Sequence, residues 1–112
     1  MQFEERQEQE GLIIKPLERR LDASVIQEFK LHIAGKVQDG HLLIALDLSD
    51  VEFIDSSGLG GIISVLKTVG ENGRVAIFGA CPNILTFFRL TRMDRIFPIS
   101  DSAADALRDL AI

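Results

Sequence analysis

Two adjacent hydroxyls carry the most chemical promise in this chain. Ser56 and Ser57 lie in the run Asp47 to Gly61, DLSDVEFIDSSGLGG. A serine hydroxyl can serve as a nucleophile, a phosphate acceptor or a helix cap, and its surroundings decide which. A hydrolytic nucleophile needs a base, ordinarily histidine. The two histidines are His32, inside a helical pattern, and His41, at the start of a strand, and both read as satisfied or solvated side chains. A nucleophile elbow requires G-x-S-x-G, but Ile54 stands two before Ser56 and Asp55 two before Ser57. No Gly-Lys-Ser/Thr follows the glycines, and Gly58, Gly60, Gly61 is not the G-x-G-x-x-G spacing, so neither nucleotide-binding loop is present. Cys81 is the single cysteine, and neither C-x-x-C nor a spaced histidine pair offers zinc ligands. The reading is a protein that is not an enzyme and needs no metal or cofactor.

What the segment does offer is a helix start of unusual composition. Each glycine in a helix costs roughly 0.5–1 kcal/mol relative to alanine, so three together forgo about 2–3 kcal/mol of local preference. At about 100° per residue, Leu59, Ile62, Ile63, Val65, Leu66 and Val69 share one arc and face a core. Opposite them fall Ser57, Gly60, Gly61, Ser64 and Thr68, with Ser56 nearer the edge of the buried arc. This predicts an exposed strip of small residues with Ser57 at its N-terminal end. Such a strip admits close approach by another protein, and its end is a place where phosphate would meet unpaired N–H groups and the positive end of the helix dipole. Asp55, Ser56 and Ser57 are also plain N-cap candidates, and one serine can cap while the other is modified.

The elements that position this turn follow from periodicity. Short apolar runs alternate with helical patterns, which predicts an α/β chain with a small mixed sheet of about four to five strands packed against about four helices. Residues 1–10 are a weakly defined N-terminal strand or tail, with Gln2 to Gln9 able to pair as a hairpin with Gly11 to Leu17. Pro16 suggests that the latter strand is an edge or is irregular. Ser24 and Gln27 have capping-box spacing, and Ile26, Phe29, Ile33 and Val37 mark a helix that stops before Gly40. Leu42 to Leu48 reads as a strand covered on both faces. A helix from about Ser57 to Val69 follows, then a strand from Arg74 to Phe78. Pro82 opens a helix expected to reach about Met93. A short strand, Arg95 to Ile99, is interrupted by Pro98, and Asp101 or Ser102 caps a last helix ending near Leu110.

In the third helix Ile84, Leu85 and Phe88 lie on one side and Phe87, Leu90 and Met93 on another, as in a deeply buried helix or one that presents a patch to a partner. Cys81 is read as a buried structural cysteine at that helix's start, and Arg89, Arg92 and Arg95 as a solvated face. With 112 residues the chain makes one domain, residues 1–112. Hydrophobic residues make up 46%, enough for a core, and a net charge of −5 argues against nucleic acid or an anionic membrane as partner. No eighteen-residue apolar run and no leader pattern is present, so the expectation is a cytoplasmic protein without membrane insertion.

The run LDLSDVEFIDSSGLGGIISVLK, with RLDAS upstream and RVAIFGACPNILTFFRLTRMDRIF downstream, resembles the STAS domain of bacterial anti-sigma factor antagonists. The resemblance covers nearly all of the chain after Gly11, and its centre is D-S-S-G-L-G after an apolar strand. It implies a partner switch in which the unmodified antagonist binds an anti-sigma factor that is also a GHKL-type serine kinase, freeing a sigma factor. The kinase phosphorylates the second serine of D-S-S-G, the complex parts, and a serine phosphatase resets it. Carried onto this chain, the acceptor is Ser57. Asp55 matches the motif acid, Gly58 the following glycine, and Asp22 in RLDAS the acid before the first helix. The expected partner surface is Asp22, Asp55, Ser56, Ser57, Gly58, Gly60, Gly61 and Ser64, with Phe87 from the third helix. The family often has a glycine before the segment that contains Asp22, whereas Arg19 precedes Arg20 here. The alternative is a STAS scaffold or accessory subunit of a signalling assembly or membrane transporter, without a sigma-factor circuit.

Overall fold

The apolar runs become the middle of a five-stranded sheet in a computed structural model that describes residues 1–111. In chain order the elements are β1 (Phe3–Glu8), β2 (Gly11–Pro16), β3 (Arg20–Leu21), α1 (Ile26–Gln38), β4 (Leu43–Asp47), β5 (Phe53–Ile54) and α2 (Ser56–Val69). They continue with β6 (Arg74–Phe78), α3 (Pro82–Leu90), a 3-10 turn (Met93–Arg95), β7 (Ile99–Ser100) and α4 (Ala103–Leu110). The sheet order is β1-β2-β4-β6-β7, with β3 and β5 forming a separate two-stranded sheet. Only β1 runs antiparallel, paired with β2; β2, β4, β6 and β7 are mutually parallel. This is the mixed sheet with four helices that the alternating pattern predicts.

The pleat divides the core in two. Ile14, Ile44, Leu46, Val75 and Ile77 point to the face covered by α1, α2 and α3, where Phe29, Ile62 and Phe88 meet them. Ile13, Ala45, Ala76 and Phe78 point the other way, onto Ala106, Leu107 and Leu110 of α4. Successive residues of β4 are thus buried on opposite sides, which is why that run reads as continuously apolar.

The polar strand β1 is held from its inner face. Phe3 stacks on His32 at 3.8 Å between ring centroids, and Glu5 pairs with His32 at 2.7 Å and with Lys36 at 3.1 Å. Partial burial pushes the Glu5 carboxyl up, but the bonds from His32 and Lys36 together hold it below the ordinary glutamate value. No helix among the described residues is long and apolar enough to cross a membrane.

Several sequence expectations are corrected. Pro16 does not mark a sheet edge, because β2 lies between β1 and β4 and Pro16 sits at its end, paired with Phe3 beyond the last β4 partner. The Ser24–Gln27 capping box does not form. The α1 helix begins at Ile26, after Val25, with no side-chain cap, and Ser24 instead donates to Asp22. The α3 helix stops at Leu90 rather than Met93, because Arg92 takes a left-handed conformation at φ 61° and Met93–Arg95 tightens into the 3-10 turn. The last strand therefore spans only Ile99–Ser100, past Pro98. His41 precedes β4 instead of starting it. Between the two candidate caps of α4, Ser102 serves, accepting from the Asp105 N–H at 3.2 Å.

Candidate functional site: the start of the second helix

The short strand β5 delivers the D-S-S-G turn to one place. It pairs in parallel with β3, Arg20 beside Phe53 and Leu21 beside Ile54, and the Asp55 N–H continues the ladder to the Leu21 carbonyl at 3.3 Å. Asp22 directly follows that neighbouring strand. Residues more than thirty positions apart, Asp22 and Asp55 to Gly58, are thereby brought side by side.

Asp55 settles which residue caps α2. Its backbone is extended (φ −95°, ψ −174°) and its carboxylate accepts the Gly58 N–H at 2.8 Å, which satisfies one of the helix's orphan donors. The two serines are thus relieved of capping. Ser56 and Ser57 occupy the first two positions of α2, both are exposed, and neither hydroxyl makes an intramolecular hydrogen bond among the described residues. Ser56, expected near the edge of the buried arc, stands in solvent.

The three glycines have different reasons. A Cβ on Gly58 would sit 2.8 Å from the Leu21 carbonyl carbon and closer still to its oxygen, so the absent side chain lets the turn lie against β3. A Cβ on Gly61 would overlap the Ile26 side chain, so this glycine is where α1 and α2 approach closely. Gly60 has nothing within 4 Å and is open to solvent. The helical wheel placed Gly61 on the exposed strip; it is buried, because α1 covers that side of α2 as well as the sheet. The exposed surface is therefore Ser56, Ser57, Gly60, Lys67 and Thr68. Ser64 is half-buried, with its hydroxyl donating to the Gly61 carbonyl at 2.8 Å. Leu59, Ile63 and Leu66 are also only half-buried, less than the wheel implies.

Around this turn the charges are arranged locally. Asp22 Oδ1 accepts from the Ser24 hydroxyl at 2.6 Å and the Ser24 N–H at 3.0 Å. The Ser24 hydroxyl bond, helped by the Ser24 N–H and Arg20, holds the Asp22 carboxyl below the ordinary aspartate range. The Arg20 guanidinium lies 4.2 Å above the Phe53 ring. Of the acids near the serines in sequence, Glu52 pairs with Arg19 at 2.8 Å and Asp50 with Lys15 at 3.5 Å. The Glu52 carboxylate keeps the Arg19 guanidinium above its usual range. Phe87 is half-buried on α3, a helix that packs against β5. Cys81 is half-buried rather than buried, its thiol 3.7 Å from the Val51 carbonyl.

Two contributors escaped the sequence reading. The Leu21 carbonyl is the surface on which the turn rests, and Ile26 is the partner of Gly61. The signal for both was the glycines themselves, but a glycine does not say which neighbour requires it.

The fold, a mixed five-stranded sheet with four helices among the described residues, agrees with that of known proteins. The STAS domain family model matches residues 5–106, and the chain belongs to the STAS domain family. A Thermotoga neapolitana homologue of TM1081, provisionally named an anti-sigma factor antagonist, is 38% identical over 72 residues, covering 63% of this chain and 64% of that protein. The chain thus spans 64% of the length of each of the two Thermotoga relatives it matches in sequence. The anti-sigma F factor antagonist of Paenibacillus polymyxa is 26% identical over 110 residues, 96% of this chain and 94% of that protein. In structure, Thermotoga maritima TM1081 superposes with a TM-score of 0.87 at 29% identity, covering 96% of this chain and 93% of that chain.

Proposed function

We propose that this protein is an anti-sigma factor antagonist whose affinity for its partner is set by phosphorylation of Ser57. The observation that carries the reading is the division of labour at the turn. Asp55 caps the helix, and Ser57 is left exposed, without a hydrogen bond among the described residues and at the positive end of the helix dipole. Phosphate would add about −1.5 to −2 charge at pH 7. Two nearby acids, Asp50 and Glu52, are already ion-paired, and the dipole returns about 0.3–1 kcal/mol at an exposed site. The fold should therefore accept the modification.

A partner pressed onto Ser56, Ser57 and Gly60 would not, because the phosphate would be buried without a counter-charge. On this reading the unmodified chain binds a GHKL-type anti-sigma factor that is also a serine kinase. Phosphorylation at Ser57 releases it, and a serine phosphatase restores binding, all in the cytoplasm. Asp22, Asp55 and Ser64 flank the contact, with Phe87 on the neighbouring helix. Gly58 and Gly61 contribute from within, by fixing where the turn and the helix lie.

The test compares unmodified protein with protein carrying genetically encoded phosphoserine at position 57, each immobilised and exposed to extract of the native cells. A GHKL-type serine kinase retained by the first and lost from the second is expected. Equal retention by both forms would overturn the switch.

A further inference from the structure

Beyond the start of α2, four large apolar side chains are exposed among the described residues: Leu31, Phe53, Leu90 and Ile96. Phe53 lies under the Arg20 guanidinium, and Leu31 stands alone on α1. Leu90, 78% exposed, and Ile96, 43% exposed, flank the 3-10 turn that follows α3. Interleaved with them are Arg89, Arg92 and Arg95 and a single acid, Asp94, all exposed, so the segment carries a net positive charge of two.

Elsewhere on the surface Arg6, Lys15, Arg19, Arg20, Lys36 and Arg108 each have a carboxylate within ion-pair distance. Among the described residues Lys30, Lys67, Arg74 and the three arginines around the turn have none, and only around the turn do three such cations fall within seven residues. Arg92 also occupies a left-handed backbone conformation (φ 61°, ψ 28°), where glycine or asparagine is favoured. Beneath them Met93 and Phe97 are fully buried and hold the turn in one shape.

We propose that Arg89 to Ile96 is a docking surface for an acidic, apolar-bearing segment of a partner protein, with Leu90 and Ile96 taking its apolar side chains and the three guanidiniums its carboxylates. Arginine's planar fork suits carboxylates in two-point contact, and a rigid turn orders few groups on binding. Polyanions fit less well. Anionic-membrane recognition reads as clusters of about 4–8 basic residues, more than stand here. The net charge of −5 repels nucleic acid, and two aliphatic side chains at the centre have no role against phosphates. A two-fold pairing with a second copy would set arginines against arginines. This surface is distinct from the serine pair and stands whether or not Ser57 is modified.

The experiment places the photo-crosslinker p-benzoylphenylalanine at position 90, and separately at position 31, in the full chain in its native cells. Adducts are sequenced at the cross-linked peptide. Expected is an adduct at position 90 to a protein peptide rich in Asp or Glu around apolar residues, absent at position 31. Its yield should fall about tenfold in Arg92→Glu/Arg95→Glu, the scale of losing complementary interfacial charge, while far-UV circular dichroism shows the fold kept. An adduct to nucleic acid, lipid, a second copy or a peptide without net negative charge would overturn the proposal. So would equal yields at both positions, or none at position 90.

Discussion

The packing of Gly58 against β3 predicts that two glycines two residues apart respond to alanine with opposite signs. In Gly58→Ala the new Cβ would stand 2.8 Å from the Leu21 carbonyl carbon and 3.0 Å from Ile54 Cγ2, and nearer still to the Leu21 oxygen. Ordinary contact begins at 3.4 Å, and a backbone carbonyl cannot swing aside as a flexible side chain can. The first turn of α2 must retreat, at about 1–3 kcal/mol for overpacking. The retreat also stretches the 3.3 Å bond from the Asp55 N–H to Leu21, worth about 0.5–1.5 kcal/mol. Alanine's helix preference offsets up to about 1 kcal/mol. The net is a loss of about 2 kcal/mol, the overpacking and bond terms outweighing propensity. Gly60→Ala meets nothing within 4 Å, so propensity acts alone and adds about 0.5–1 kcal/mol.

The assay is urea and thermal unfolding followed by far-UV circular dichroism, since the chain has no Trp or Tyr to report by fluorescence. At about 4 °C per kcal/mol for a domain of this size, Gly58→Ala should melt about 8 °C lower and Gly60→Ala slightly higher than the parent. Because Gly58 sets where the turn sits, it should also slow phosphorylation of Ser57. Shifts of the same sign in the two variants, or an unchanged Gly58→Ala, would refute the packing argument.

Three further outcomes follow from the same structure. Asp55→Ala removes the only side-chain cap seen at the start of α2 and should lower stability by about 0.5–2 kcal/mol in urea unfolding, with Asp55→Asn losing less. Gly61→Ala should destabilise by about 1–3 kcal/mol by overpacking against Ile26; in Gly61→Ala/Ile26→Ala the loss should be smaller than the sum of the single changes, as a double-mutant cycle would show. Glu5, held below its ordinary value of 4.5 by His32 and Lys36, binds a proton more readily in the unfolded chain. Its contribution is complete above pH 4.5 and is lost as the pH falls through the folded value. The urea midpoint of Glu5→Gln should therefore lie below the parent's at neutral pH and converge on it in acid.

Much of the fold was legible because the core is patterned by strands buried on both sides. Leu42 to Leu48 and Arg74 to Phe78 needed only their apolar continuity, and α4 only its cap and spacing. The β1 strand was faint for a physical reason: its inward residue Glu5 is polar and is satisfied by α1, a partnership no local pattern encodes. The end of α3 was misplaced because Met93 keeps helical spacing while Arg92 breaks the helix without a glycine or proline to announce it. At the site, the exposure of Ser57 and Gly60 followed from the wheel. Gly61 did not, since a wheel knows one core direction and α2 is covered from two. Which of Asp55, Ser56 and Ser57 caps the helix was open in the sequence, since all three residue types are good caps. It was closed by the extended backbone at Asp55.

The central claim is that Ser57 is a regulated phosphate acceptor. Tandem mass spectrometry of the protein isolated from its native cells with phosphatase inhibitors, reading the peptide that contains Ser56 and Ser57, tests it most directly. The account predicts phosphate on Ser57, at an occupancy that changes with growth condition. A peptide unmodified under every condition, even after exposure to the cells' serine kinases and ATP, would contradict it and leave the D-S-S-G turn as a helix start alone.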